Sequence, residues 1–326
     1  MSATSVHFGS DPVASLDIHG VPWNQSRKTY GAILDALQAH NETAIRQESQ
    51  GCKRSLARLN ACSGPVSGRW LTSFPLSWWR EFPDDVFIMS LRFRLGVPVV
   101  PAGLRCYHAQ CKDQDTFCDE PLDEMGDHAV ACNIGAYVSC RHSALNHTLA
   151  QAGRDAGYAV LFEQVVPELA LRRQRRDATR YIEDARIDVE LFGHPCAPPW
   201  LLDGTVRHPA AQSILSKASR IAGAAAQVGV DAKHKRYPPR GGKSVLACSV
   251  ETWGYIHENL DNFLGDLAVL ASQRQRNMGQ HPTRWLSKWR TEISIQIAMS
   301  VGKSLVAAVP PHTRPICIRE RVERSG

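Results

Sequence analysis

No run of about 20 apolar residues occurs in the 326-residue chain, so no membrane-spanning helix is expected. The opening MSATSVHFGSDPV has neither a basic start nor an apolar stretch, so no secretory signal is expected either and the chain reads as intracellular. Internal repeats and long low-complexity tracts are missing too, which excludes a solenoid and a disordered linker protein. Charge of one sign does not dominate: 38 Lys and Arg against 32 Asp and Glu leave a net +6, which permits a polyanionic partner without demanding one. At 43% hydrophobic and 21% charged residues the composition is that of a globular protein, long enough for about two cores.

Cysteine, by contrast, is plentiful. Ten cysteines without an export signal favour reduced thiols and metal binding over disulfides. Cys106, Cys111, Cys118 and Cys132, with His128 among them, fall in one segment short of apolar residues, which needs a staple to hold a shape. Zinc takes four Cys or His ligands in a tetrahedron, and His128-x3-Cys132 makes a good half-site. Five candidates compete for four places. The favoured set is Cys111, Cys118, His128 and Cys132, with Cys106 the substitute ligand, and Asp127 beside His128 is a candidate acceptor for its ring. Buried free thiols are the competing reading. No HExxH accompanies the cluster, so a structural Zn2+ is expected rather than a catalytic one.

The period of the chain changes around the cluster. Residues 28–59 carry apolar positions at helical spacing, Val86–Leu95 reads as a helix ended by Gly96, and 141–156 as another ended by Gly157. Tyr158–Val166, Ala185–Phe192, Trp200–Val206 and Ser244–Val250 read as strands bounded by Gly or Pro. A long Ala-rich helix is expected over 209–236, and two more near 255–276 and 282–308. The layout is α/β. The expected parts are a mostly helical N-terminal region (1–104), a zinc knuckle (105–140), an α/β core (141–256) and a helical C-terminal extension (257–326).

Three of the expected strands hold an acid among apolar residues: Glu163, Asp188 (with Glu190 two residues on) and Asp203. An acid in an apolar strand must be paired, ligated or turned to solvent, because burying it alone is costly. Any one of them is most simply a solvent-facing residue, but three in series behind a metal cluster suggest a site. Converging carboxylates and a lysine are what metal-dependent phosphodiester hydrolysis requires. Glu190 is a reserve ligand, and Lys233 in Lys-His-Lys-Arg236 is the expected cation, with Lys217 its rival. That basic run also suits nuclear import. The run Arg172, Arg173, Arg175 and Arg176 is expected to meet nucleic-acid phosphate.

Taken in order, these residues resemble the restriction-like endonuclease region of site-specific non-LTR retrotransposons and related reverse-transcriptase proteins of protists. The resemblance covers roughly 70–256. It rests on Leu91-Arg-Phe-Arg-Leu-Gly-Val-Pro98, Leu122-Asp123, Gly126-Asp127-His128-Ala129, Cys132, Arg141-His142, Glu163, Arg186-Ile-Asp188, Asp203, Lys233 to Tyr237, and Glu251-Thr-Trp-Gly254. It implies a restriction-endonuclease-like core, a mixed sheet flanked by helices, of the PD-(D/E)xK type. Asp188 and Asp203 would hold Mg2+ or Mn2+, Glu163 would assist, and Lys233 would stand in for a displaced lysine. Arg141, His142 and Tyr237 would lie on the nucleic-acid side, with DNA as partner and RNA the alternative. The chain departs from the pattern at Thr116, where a Cys-x-Cys would begin, at Ser143 in place of Asn, and at Ile187 before the first Asp. It also carries no Tyr-x-Asp-Asp polymerase signature. The alternatives to a nuclease are an inactive nucleic-acid-binding remnant and a zinc-stabilised protein-interaction domain.

Overall fold

The computed structural model describes residues 37–73, 81–110, 116–174, 180–274 and 281–313, with backbone alone at 172–174, 274 and 312. The chain forms two compact units, Met1–Lys53 and Arg54–Gly326. In the first, residues 37–48 are helical (α1), followed by a turn before Lys53.

The second unit runs α2 (Lys53–Cys62), α3 (Asp84–Leu95), α4 (Asp127–Ala131), α5 (Tyr137–Ala156), β1 (Ala159–Val165), β2 (Leu171–Gln174), β3 (Arg180–Glu183), β4 (Arg186–Phe192) and β5 (Trp200–Arg207). It continues with α6 (Gln212–Ala218), α7 (Ala224–Arg236), β6 (Val245–Glu251), α8 (Glu258–Arg274) and α9 (Pro282–Ala307). Its main sheet has the order β1-β4-β5-β6, antiparallel except for the parallel pair β5–β6, which α6 and α7 connect. The fold is therefore mixed α/β, a four-stranded mixed sheet flanked by helices. β4 and β5 are buried almost throughout, as near-continuous apolar runs should be when helices cover a sheet.

The largest core joins Leu145 and Leu149 of α5, Val189, Leu191 and Leu202 of the sheet, and Leu260, Phe263, Leu264, Trp285 and Trp289 of α8 and α9. The C-terminal helices α8 and α9 thus contribute to the main core. A second core packs Met89 and Phe93 of α3 against Leu305 of α9 and the Cys106 and Cys132 region. A smaller third one holds Ile187, Leu201, Val245 and Tyr237.

One expectation is corrected. The helix over 209–236 is broken into α6 and α7 at Gly223, whose φ of +73° excludes a continuous helix. A Cβ there would stand 2.3 Å from Tyr255 Cε1. The basic stretch after β1 is a β2–β3 hairpin, with Leu171 opposite Glu183 and Gln174 opposite Arg180. Among the described residues no helix is long and apolar enough to cross a membrane.

Gly302 of α9 faces α3 so closely that a Cβ would lie 2.6 Å from the Val86 carbonyl oxygen, whereas Gly265 of α8 has open space beside it. Gly302→Ala is expected to lose about 1–3 kcal/mol through overpacking. Gly265→Ala is expected to gain about 0.5–1 kcal/mol of helix propensity. Urea titration of the two variants checks the opposite signs.

Candidate metal centres

The knuckle is built from two folded-back segments and a short helix. Leu104–Ala109 and Phe117–Leu122 run antiparallel, with Cys106 N–H donating to Glu120 O at 2.9 Å and Cys118 N–H to His108 O at 2.9 Å. They present Cys106 and Cys118, while α4 and the residue that ends it present His128 and Cys132. Asp123 starts that helix: its carboxylate accepts the backbone N–H of Asp127 at 3.0 Å and of His128 at 2.7 Å. Gly126, at φ +77°, leaves no room for a side chain, since a Cβ would meet Leu305 Cδ2 at 2.5 Å. The Gly-Asp-His run is thus explained by packing and backbone geometry as much as by metal chemistry.

One donor atom from each of Cys106, Cys118, His128 and Cys132 falls within 4.8 Å of the others, and Cys118 Sγ lies 3.4 Å from His128 Nε2. Three sulfurs and one imidazole nitrogen are a complete zinc donor set. Burial, with Cys132 and Cys118 as neighbours, pushes the Cys106 thiol up to about 12, and burial likewise raises Cys132. Crowded thiols of this kind are held protonated until a metal displaces the protons. The cluster is therefore able to bind a metal such as zinc, and its fourth corner among the described residues is Cys106. Cys111, favoured from spacing alone, lies outside the described residues. Asp127 does not turn to His128 but forms a bidentate pair with Arg54 at 2.6 and 2.7 Å and meets His208 Nε2 at 3.2 Å.

A second cluster lies where β4 and β5 run side by side. Asp188 and Asp203 are 9% and 1% exposed, so both acids are buried and a partner is obligatory. Asp188 Oδ2 accepts the Gly204 N–H at 2.8 Å and lies 3.0 Å from His142 Nε2 on α5. Asp203 forms an ion pair with Lys233 of α7. Burial pulls both carboxyls upward, but the two part company. Hydrogen bonding to His142 brings Asp188 below the usual carboxylate range. Burial and the neighbouring Asp188 charge outweigh Lys233 and hold Asp203 at about 6. His142 is raised, chiefly by its hydrogen bond to Asp188. His142, Asp188 and Asp203 each supply a donor atom within 4.8 Å of the others.

Of the residues expected at the site, Asp188, Asp203, Lys233 and His142 come together. Glu163 sits opposite Asp188 between the paired positions Phe162–Val189 and Gln164–Ile187, but its φ of +54° turns it out of the ladder. Its carboxylate is exposed, 3.9 Å from Arg186, and is not among the clustered donors. Glu190 is not among them either, and Lys217 is exposed on α6.

Arg141 is buried at 2% exposure, donating to Val130 O at 2.8 Å, and burial lowers it to about 10; it is a core residue, not a phosphate contact. Tyr237 is buried as well, its hydroxyl donating to Arg186 O at 3.0 Å. Arg172 and Arg173 lie on β2 without described side chains, and Arg175 and Arg176 lie outside the described residues.

Two residues had no assigned role from the sequence. Glu251, at the end of β6, accepts the Ala225 and Ala226 N–H groups at 2.8 and 3.0 Å, which caps α7 and fixes the helix that carries Lys233. Burial raises it to about 7. Asn146 lies one helical turn beyond His142, its Nδ2 against the ring at 3.3 and 3.4 Å. The helical period made that proximity legible; nothing in composition did.

No protein-family model matches the chain, and neither does any curated protein or solved structure.

If the knuckle holds zinc through Cys106, Cys106→Ser is expected to lower the bound metal from one equivalent to a small fraction and to destabilise the protein by several kcal/mol. Metal analysis of the purified protein alongside thermal melting checks this. Full zinc content in the variant would assign the fourth corner to another residue.

Proposed function

We propose that this chain is a metal-dependent endonuclease of the restriction-like PD-(D/E)xK type, derived from a non-LTR retrotransposon, which nicks DNA in the nucleus. The observation that carries the reading is the convergence of Asp188, Asp203 and Lys233 from β4, β5 and α7 in one buried cluster. Its support is chemical as well as topological. An antiparallel pair of strands brings the acids side by side, and helix α7, in the crossover from β5 to the parallel strand β6, carries the lysine to them. An exposed pair of acids would carry no such weight, since solvated carboxylates are common.

Asp188 and Asp203 are the residues that would hold Mg2+ or Mn2+. The donor set fits: two carboxylates in close approach, one of them held near 6, are short of positive charge even with Lys233 beside them. The bound ion supplies Lewis-acid polarisation of the scissile phosphate and a more acidic water. Asp188 is oriented for this by the Gly204 N–H and by His142. Lys233, held by Asp203, would offset the negative charge that develops on the phosphoryl oxygens as the water oxygen bonds to phosphorus and loses its proton to solvent, while the P–O3′ bond breaks and O3′ takes up a proton from solvent. The knuckle, loaded with Zn2+, acts by holding the fold. Arg172 and Arg173, two of the arginines expected to meet phosphate, lie on β2.

Supercoiled plasmid incubated with Mg2+ or Mn2+ is expected to be nicked by wild type. Asp188→Ala and Asp203→Ala are expected to lose activity by at least about 10²–10³-fold, and Lys233→Ala by about 10²-fold. DNA retardation in a gel should be retained by all three. A wild-type protein that shifts DNA but never nicks it would identify an inactive binding remnant instead.

A further inference from the structure

A third donor stands beside the two carboxylates, and it differs from them in kind. His142 Nε2 lies 3.0 Å from Asp188 Oδ2 and 3.2 Å from the Gly204 carbonyl oxygen. Helix α5 fixes the ring from below, because Asn146 is 5% exposed and packs its Nδ2 against both ring nitrogens. The other polar atom of that side chain, Oδ1, is buried without a hydrogen-bond partner. It lies so close to β5 that a Cβ at Gly204 would be 2.2 Å from it. A side chain after Asp203 would have to displace the Asn146 amide. Its carbonyl oxygen and amide both serve the cleft, one facing His142 and the other donating to Asp188.

The cleft thus gathers an imidazole nitrogen, two carboxylates and a backbone carbonyl. A proton on Nε2 would let the ring donate to Asp188 Oδ2 and to the Gly204 carbonyl oxygen. A cation placed between the same atoms would replace that proton and use the nitrogen lone pair. Mg2+ is a hard ion that takes oxygen ligands and keeps its waters, whereas a nitrogen ligand favours a transition metal.

We propose that His142 Nε2 is a direct ligand of the divalent cation in this cleft and makes the site select Mn2+ over Mg2+. The proposal rests on the nuclease reading of the same cleft, which names the two acids but leaves both the third ligand and the preferred ion open.

The test uses the full chain with its knuckle loaded with zinc, titrated with Mn2+ alone and with Mg2+ alone. Mn2+ is expected to bind at least about tenfold more tightly than Mg2+. Pulsed electron paramagnetic resonance of the bound Mn2+ is expected to show nitrogen coupling from a directly bonded imidazole. In His142→Ala that coupling should vanish and the two affinities should converge, with zinc content reporting that the variant is folded. The wild-type spectrum stands alone should the variant not fold.

Bound Mn2+ without nitrogen coupling overturns the proposal, as does coupling that survives in His142→Ala. Equal binding of the two ions with nicking intact overturns it too while leaving the nuclease reading in place. Failure of either ion to bind, together with absence of nicking, removes both.

Discussion

Two carboxylates buried side by side on neighbouring strands need positive charge or a shared proton between them, and the helices against this sheet are placed to meet that need. Asp188 and Asp203 sit within hydrogen-bond reach of each other, and their titrations are driven apart, one below the ordinary range and the other to about 6. The protein answers with Lys233 from one side and His142 from the other. Each comes from a helix laid against the sheet, so the placement of α5 and α7 matters as much as the strands. α7 is fixed by a buried carboxylate, Glu251, at its N-terminus. α5 is fixed by Leu145 and Leu149 in the main core and by the close approach of Asn146 to Gly204.

The knuckle is tied to the same strand. Asp127, next to His128 of the Cys/His cluster, reaches Arg54 and His208, and His208 follows the last residue of β5. Arg54 in turn lies over the Phe93 and Trp253 rings at 5.8 and 5.4 Å. Partly buried, bidentate and stacked, this pair is of the kind that contributes measurably, unlike exposed ion pairs. A structural metal in the knuckle would therefore stiffen the end of the strand that carries Asp203.

The elements that could be read from sequence were those whose local signal agreed with their tertiary role. β1, β4, β5 and β6 fell close to the expected strands because apolar runs bounded by Gly and Pro need little context. Asp188 and Asp203 were visible because an acid inside such a run demands an explanation. Other features depended on chain reversal or burial, which spacing does not encode. Cys106 joins the knuckle because the Leu104–Ala109 segment folds back on Phe117–Leu122. Arg141 and Tyr237 looked like surface groups, yet the core closes over both. Glu163 carried the right residue in the right strand, but its left-handed backbone turns the carboxylate toward Arg186.

The most direct test of the central claim is anomalous diffraction at the manganese edge from crystals of the zinc-loaded protein soaked in Mn2+. The convergence of Asp188, Asp203 and Lys233 predicts one strong peak within bonding distance of both carboxylates. No peak there, with Lys233 still closing the cleft against Asp203, would contradict the reading of this cleft as a catalytic metal site.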